Sequence, residues 1–329
     1  MPGQLFSTGS VGGFYASFNL SKELFDGVQA SVRFRQHCDI KDAWNTSRTG
    51  QTFTWDTIPT MTRGRRRLTE TNTIPQGQHT ILQGTCTMYE HGFSVPYTEV
   101  LEKLSMVAVR APIMRVLKYD AAVDLDAEVW EQFNLTPLRY VGTTSSTGVF
   151  TTNGTATATN TSAYNSNHVK NIVDEMKARN IPPYENGDYY AIGRPGALRI
   201  LKNNMESLHQ YTDSGLTMIM NGEIGRYEQT RHIEQTSVPT GGAADSTTFD
   251  PFTETGDAWN GAATNQSDWV FVFGSDTVAE AAHTFEEIRA KTPDDYGRSK
   301  GIAWYALLGY GLSQTNATQA RIVKFDSAV

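Results

Sequence analysis

At 329 residues the chain can bury a substantial core, in one large domain or two of ordinary size. Its 39% hydrophobic and 11% aromatic content excludes a disordered chain, and a net charge of −7 argues against a surface devoted to wrapping nucleic acid. Cys38 and Cys86, the two cysteines, stand far apart without a metal-ligand partner pattern, so buried thiols are expected over a disulfide. Met1 to Ser7 lacks the basic and apolar regions of a signal peptide, and no apolar run approaches the ~20 residues that span a bilayer. No membrane partner is expected.

Residues 1 to about 50 show no clean period beyond a short helix start at Ser21, and read as an extended arm that packs on something else. Thr52 to Pro59 alternates, with Phe53 and Trp55 on one side, as in a half-buried strand ended by proline. Next comes the dense basic cluster Arg63, Arg65, Arg66 and Arg67, then a second β-prone run from Thr80 to Glu90. Two strands separated by a long polar tip make a protruding hairpin. The arginines fit a solvated charge run, a salt-linked contact to a neighbouring acidic surface, or direct contact with DNA.

From Tyr97 the period changes. Tyr97, Val100, Leu101, Leu104, Val107, Ala108, Ala111, Met114 and Leu117 recur at three- and four-residue steps, a helical stripe capped by Thr98 and kinked or split at Pro112. Helical character resumes through Ala121 to Phe133. Val141 to Asn167, crowded with Thr, Ser and Asn, reads as an exposed loop or a pair of weak strands. Ser166 or Asn167 then caps a helix to Arg179 that buries Val169, Ile172, Val173 and Met176 and stops at Asn180 to Pro183. A strand from Asp188 to Gly193 and a helix carrying Ala197, Leu198, Ile200 and Leu201 follow, giving a compact α/β lobe.

The stretch from Asn221 to Thr236 opens with two glycines three apart and reads as a tight turn feeding one strand. Tyr227, Gln229, Arg231 and Ile233 would share one face of that strand, and Glu228, Thr230, His232 and Glu234 the other. Glu223, Arg226, Glu228, Arg231 and Glu234 alternate in sign, which fits a self-neutralising surface or a charged interface where complementary charge fixes register. A polar insertion spans about 237 to 267. Trp269 to Gly274 is a buried strand, Thr277 to Lys291 a helix, and Gly301 to Leu308 and Ala320 to Phe325 are strand-like.

No phosphate-binding loop, nucleophile elbow, His-Glu-x-x-His or paired Cys-x-x-Cys occurs. His37, Cys38 and Asp39 are consecutive, so strand geometry sends neighbours to opposite faces. The adjacent pairs Glu286–Glu287 and Asp294–Asp295 do not face each other across a cleft. No catalytic residue, cofactor or metal site is expected, and the chain is not read as an enzyme.

Three motifs occur in order: Ile81 to Gly84 with Tyr89 to Gly92 and Val95 to Glu99; Gly222 to Arg226 followed by Arg231 to Glu234; and Pro293 to Trp304. Together they resemble a family of tailed-phage major capsid proteins of the Hong Kong 97-type fold, including those related to the podophage N-four capsid protein. The resemblance implies an α+β fold laid out as N-terminal arm (1–50), extended hairpin loop (51–96), peripheral domain with a long spine helix (97–135), axial domain with polar insertions (136–296) and peripheral strands (297–329). It implies self-assembly into pentamers and hexamers of an icosahedral shell around double-stranded DNA, contacted weakly and non-specifically. A separate scaffolding protein, a portal protein at one vertex and a decoration protein would be partners, in a virion assembled in the bacterial host cytoplasm. The alternative class is a virion decoration protein or other non-enzymatic binding module.

Overall fold

The computed structural model of the chain describes residues 33–42, 50–59, 79–105, 108–154, 160–184, 186–209, 226–236 and 267–328, with residues 67, 70, 74, 77 and 158 singly between them. A 3-10 turn over Arg35–His37 leads into β1 (Asp39–Asp42), and β2 (Thr52–Thr57) pairs antiparallel with β3 (Leu82–Thr87). Then come β4 (Tyr89–Thr98), the short helix α1 (Glu99–Leu104) and the 25-residue helix α2 (Arg110–Asn134). A second group follows: β5 (Leu138–Gly142), β6 (Gly148–Thr151), α3 (Ser166–Ala178), β7 (Tyr189–Gly193), α4 (Pro195–His209), β8 (Arg226–Tyr227) and β9 (Thr230–Glu234). The closing strands are β10 (Ser267–Phe273), β11 (Val278–Ala290), β12 (Ser299–Leu312) and β13 (Ile322–Ala328).

These strands form a four-stranded sheet, ordered β1-β11-β12-β4, a seven-stranded sheet, ordered β6-β5-β13-β10-β7-β9-β8, and the separate β2–β3 pair. β10 lies inside the larger sheet and is buried on both faces. Trp269, Phe271 and Phe273 point to a core shared with α2, while Val270 and Val272 point to a second core under α3 and α4. Period-two alternation between two apolar environments explains why this strand reads as one continuous apolar run.

Helix α2 reaches both sheets because its apolar row winds. Ile113, Leu117, Ala121, Leu125, Val129 and Phe133 are all buried, and each step of four residues advances about 40° around the axis. The early part packs with Ile302 and Trp304 of the smaller sheet, and the end stacks Trp130 on Trp269, with ring centroids 5.8 Å apart. The sequence stripe drawn through Val100, Leu104 and Met114 is corrected here, since these residues are 47%, 59% and 38% exposed. The helix breaks after Leu104 and restarts at Arg110, which resets its phase. Pro112 lies in the first turn of α2, where its missing N–H has no intrahelical acceptor to lose, so it opens the helix and does not kink it. Thr98 does cap α1, its side chain accepting from the Leu101 N–H.

The expected helix over 277–291 is instead β11. Its alanines and glutamates favour helix in isolation, but pairing with β12 from Val278 to Ala290 and burial of Val278, Ala279, Ala281 and Ala282 override that preference. The polar stretch 141–167 is also less exposed than expected. It contains β6 and a return segment that buries Tyr164, whose backbone N–H donates to Ser327 Oγ at 3.0 Å. Asn165, one residue before the expected caps, caps α3. Asn180, at φ 57°, ends it in a left-handed turn, with Asn180 N–H donating to Lys177 O and Ile181 N–H to Met176 O.

Candidate subunit interfaces

The charged stretch after Gly225 is not one strand. Glu228 and Gln229 take φ 47° and 59°, so the chain makes a two-residue turn with both central residues left-handed, the geometry whose twist matches a hairpin. β8 folds back onto β9, and Arg226 lies opposite Arg231. Two like charges so placed would repel; the counter-ion is Asp188, immediately before β7. Asp188 is 1% exposed; its Oδ1 forms an ion pair with Arg226 Nη2 at 2.5 Å, and its Oδ2 accepts a hydrogen bond from Arg231 Nε at 2.7 Å. Glu234 pairs with Lys202 of α4. Three of the five alternating charges are therefore matched within the chain. Glu228 is exposed at the turn, and Glu223 lies outside the described residues.

On the other face of β9, Tyr164 Oη and His232 Nε2 are 3.3 Å apart, and burial pushes the imidazole pKa down to about 4. The sequence marked Arg226 and Arg231 but not Asp188. An acid just before a β-prone run was the available signal, and nothing local says what it faces.

Within the basic cluster, Arg67 is exposed, and Arg63, Arg65 and Arg66 lie outside the described residues. The base of the expected hairpin is clear. β2 and β3 pair in register, and Phe53, Trp55, Cys86 and Met88 pack over Ala281 and Leu307. The crossing is close enough to require glycine beneath it: a Cβ on Gly311 would stand 2.7 Å from the Thr85 carbonyl oxygen, and one on Gly309 would overlap that of Thr87.

Residues 33–42 fall in the stretch read as an arm, yet they are built into the body. Phe34 is fully buried edge-on against Phe133 and Phe271, at 5.2 and 5.8 Å between centroids. Arg35 donates to Glu280 and Glu286 of β11, and its backbone N–H donates to Asp126 Oδ1 at 3.0 Å. Asp126 also accepts from Gln235 Nε2 at 2.6 Å, so one carboxylate inside α2 ties three distant segments. Burial raises its pKa despite these donors. His37 sits among Tyr184, Tyr190 and Phe273, and burial brings its pKa to about 4.

The arrangement with most resemblance to a catalytic group is buried. Ser162 Oγ lies 2.9 Å from His168 Nε2, whose Nδ1 is 3.3 Å from Tyr140 Oη, and Asn171 Nδ2 donates to the same hydroxyl at 3.0 Å. His168 is fully buried, and even a Cβ on Gly142 would come within 3.0 Å of its Nε2. No substrate could reach that nitrogen without displacing the packing, so these groups satisfy one another and clamp the loop above them. Among the described residues no group of three or more His, Cys, Asp or Glu is placed to hold a metal ion.

Large apolar side chains do reach the surface. β4 is an edge strand of the smaller sheet and carries Tyr89 and Phe93, 56% and 58% exposed, while β11 exposes Phe285 at 52%. A ten-residue edge strand with exposed aromatics is a place where another chain can add.

No family model and no curated protein matches this sequence. Solved structures do. The capsid of cyanophage P-SCSP1u superposes with a TM-score of 0.66 at 12% identity, covering 96% of this chain and 94% of that one. The capsid of Ralstonia phage GP4 gives 0.65 at 14% identity over 100% and 98%, and the head of Helicobacter pylori bacteriophage KHP40 gives 0.66 at 13% over 94% and 95%. This chain has the tailed-phage capsid fold. Among the described residues the elements from Phe34 to the last strand belong to this fold, the 25-residue α2 among them. Identity this low also explains why only the order of short motifs, and no continuous similarity, pointed to it.

Proposed function

We propose that the chain is a major capsid protein that assembles into pentamers and hexamers of an icosahedral shell enclosing double-stranded DNA. The observation that carries this reading is the near-complete mutual coverage with capsid structures: little of this chain lies outside the shared fold, and little of theirs is missing. The exposed aromatics of β4 and β11 support it, since they leave apolar surface for neighbours to cover. Many modest contacts closed by symmetry then add to a stable shell.

The role is structural and not catalytic. A separate scaffolding protein, a portal at one vertex and a decoration protein are the proposed partners, with assembly in the host cytoplasm and the virion as destination. Arg63, Arg65, Arg66, Arg67 and Glu223, with the outward sides of Arg226, Glu228, Arg231 and Glu234, form the proposed charged contacts between subunits. The half-exposed guanidinium groups of Arg226 and Arg231 keep room for a second partner beside Asp188.

Negative-stain microscopy with light scattering on the purified full chain tests this reading. Shells, pentameric or hexameric rings, or tubes in the megadalton range are expected. A monomer of 36.4 kDa that persists with its scaffold present would overturn the reading.

A further inference from the structure

The most exposed large hydrophobic side chain among the described residues is Tyr296, at 103% of its reference area. A single exposed tyrosine is ordinary on a protein surface. The backbone beneath this one is not. Asp295, Tyr296 and Gly297 take φ 51°, 55° and 89°, three consecutive left-handed residues of which two carry side chains. Such conformations cost free energy and persist where the surroundings over-determine them.

Here they are over-determined. Asp294 N–H donates to Ser299 O and Ser299 N–H to Asp294 O, Gly297 N–H donates to Asp294 O, and Arg298 N–H to Asp295 O. Asp294 Oδ1 accepts from the Asp295 N–H at 2.7 Å. The base is fixed in turn: Glu99 N–H donates to Arg298 O, Lys291 Nζ to Ser299 Oγ at 3.0 Å, and Lys300 Nζ to Glu102 Oε2 at 2.8 Å. The result is a stiff tip on the β11–β12 ribbon that holds a fully exposed aromatic ring in water, clear of the other described residues.

We infer that Tyr296 is an aromatic anchor by which this ribbon tip docks on a second copy of the chain. This deepens the shell reading and rests on it. A tyrosine presented on a rigid turn brings a large contact area with little conformational freedom left to lose. The partner is read from charge. The tip carries both signs, Asp294 and Asp295 beside Arg298, and its internal pair, Arg298 to Asp295, is long at 3.8 Å with side chains 73% and 60% exposed. A surface of that kind is self-complementary: tips meeting about a symmetry axis can exchange the pair, the arginine of each copy reaching the acid of the next.

The test compares full-length wild type with Tyr296→Ala and Tyr296→Phe, measuring the thermal midpoint of the monomer and the concentration at which assembly begins by light scattering. The ring is fully exposed, so all three should melt together. Tyr296→Ala should raise the critical concentration about tenfold, the loss typical of truncating an aromatic anchor, and Tyr296→Phe should stay near wild type. A wild type that assembles alongside an equally competent Tyr296→Ala overturns the anchor and leaves the shell reading standing. A wild type that stays monomeric with scaffold present overturns both.

Discussion

Arg231 Nε donates to Asp188 Oδ2 at 2.7 Å, from a half-exposed side chain to a carboxylate that is 1% exposed. This contact, shared with Arg226, clips the β8–β9 hairpin to the start of β7. Asp188→Ala should therefore destabilise the chain by about 1–3 kcal/mol, toward the lower end because both guanidinium groups remain partly in water. Hydrogen exchange should show faster opening of residues 226–234. Unchanged protection there would mean that the pairing of β9 with β7 holds the hairpin unaided. Reversing the charge of Arg231 would disturb this contact and any contact with a neighbour together, so assembly loss in that variant cannot be assigned to an interface alone.

Phe34 fills the junction between α2 and β10. Phe34→Ala should cost roughly 3–5 kcal/mol, because the surrounding rings of Phe133 and Phe271 belong to rigid elements that cannot collapse into the space. Urea unfolding measures it. A loss below about 1 kcal/mol would show that residues 33–42 are dispensable to the body.

Acid should loosen the chain through its histidines. His37 and His232 have folded pKa values near 4, below the ordinary 6.5. Each therefore contributes stability that is fully present above pH 6.5 and lost as pH falls from 6.5 toward 4, on the order of 3 kcal/mol at most per group. Glu286, whose pKa is lowered first by its hydrogen bond from Arg35, adds a loss in the same direction as pH falls through its own depressed value. Thermal midpoints should drop between pH 6.5 and 4, and His232→Gln should flatten part of that slope. An identical slope in the variant would assign the acid sensitivity elsewhere.

The crossing of β3 over β12 gives a steric prediction. Gly309→Ala should cost about 1–3 kcal/mol, since the new methyl group overlaps the Thr87 carbonyl and the hairpin base must lift. Emission from Trp55, whose Nε1 donates to Ser313 O at 3.2 Å, should shift to the red. Wild-type emission would show that β3 yields without separating.

What the sequence determined by itself is what short-range physics controls. Helix α3 could be read to within two residues, because an apolar face, an Asn cap and an Asn-Ile-Pro-Pro stop all act within a few residues of one another. The buried strand β10 and the β2–β3 pair were legible for the same reason. The tertiary structure alone decided the rest. β11 is built from helix-favouring residues and becomes a strand because β12 lies beside it. The turn at Glu228 and Gln229 lacks glycine, so nothing local announces left-handed backbone; pairing with β7 and the counter-ion Asp188 impose it. Asp126 reads as one more acid on a helix until Arg35 and Gln235, remote in sequence, converge on it. Local preferences among these residues differ by about 1 kcal/mol or less, whereas buried charge and packed rings act over larger energies between segments whose proximity no window of sequence contains.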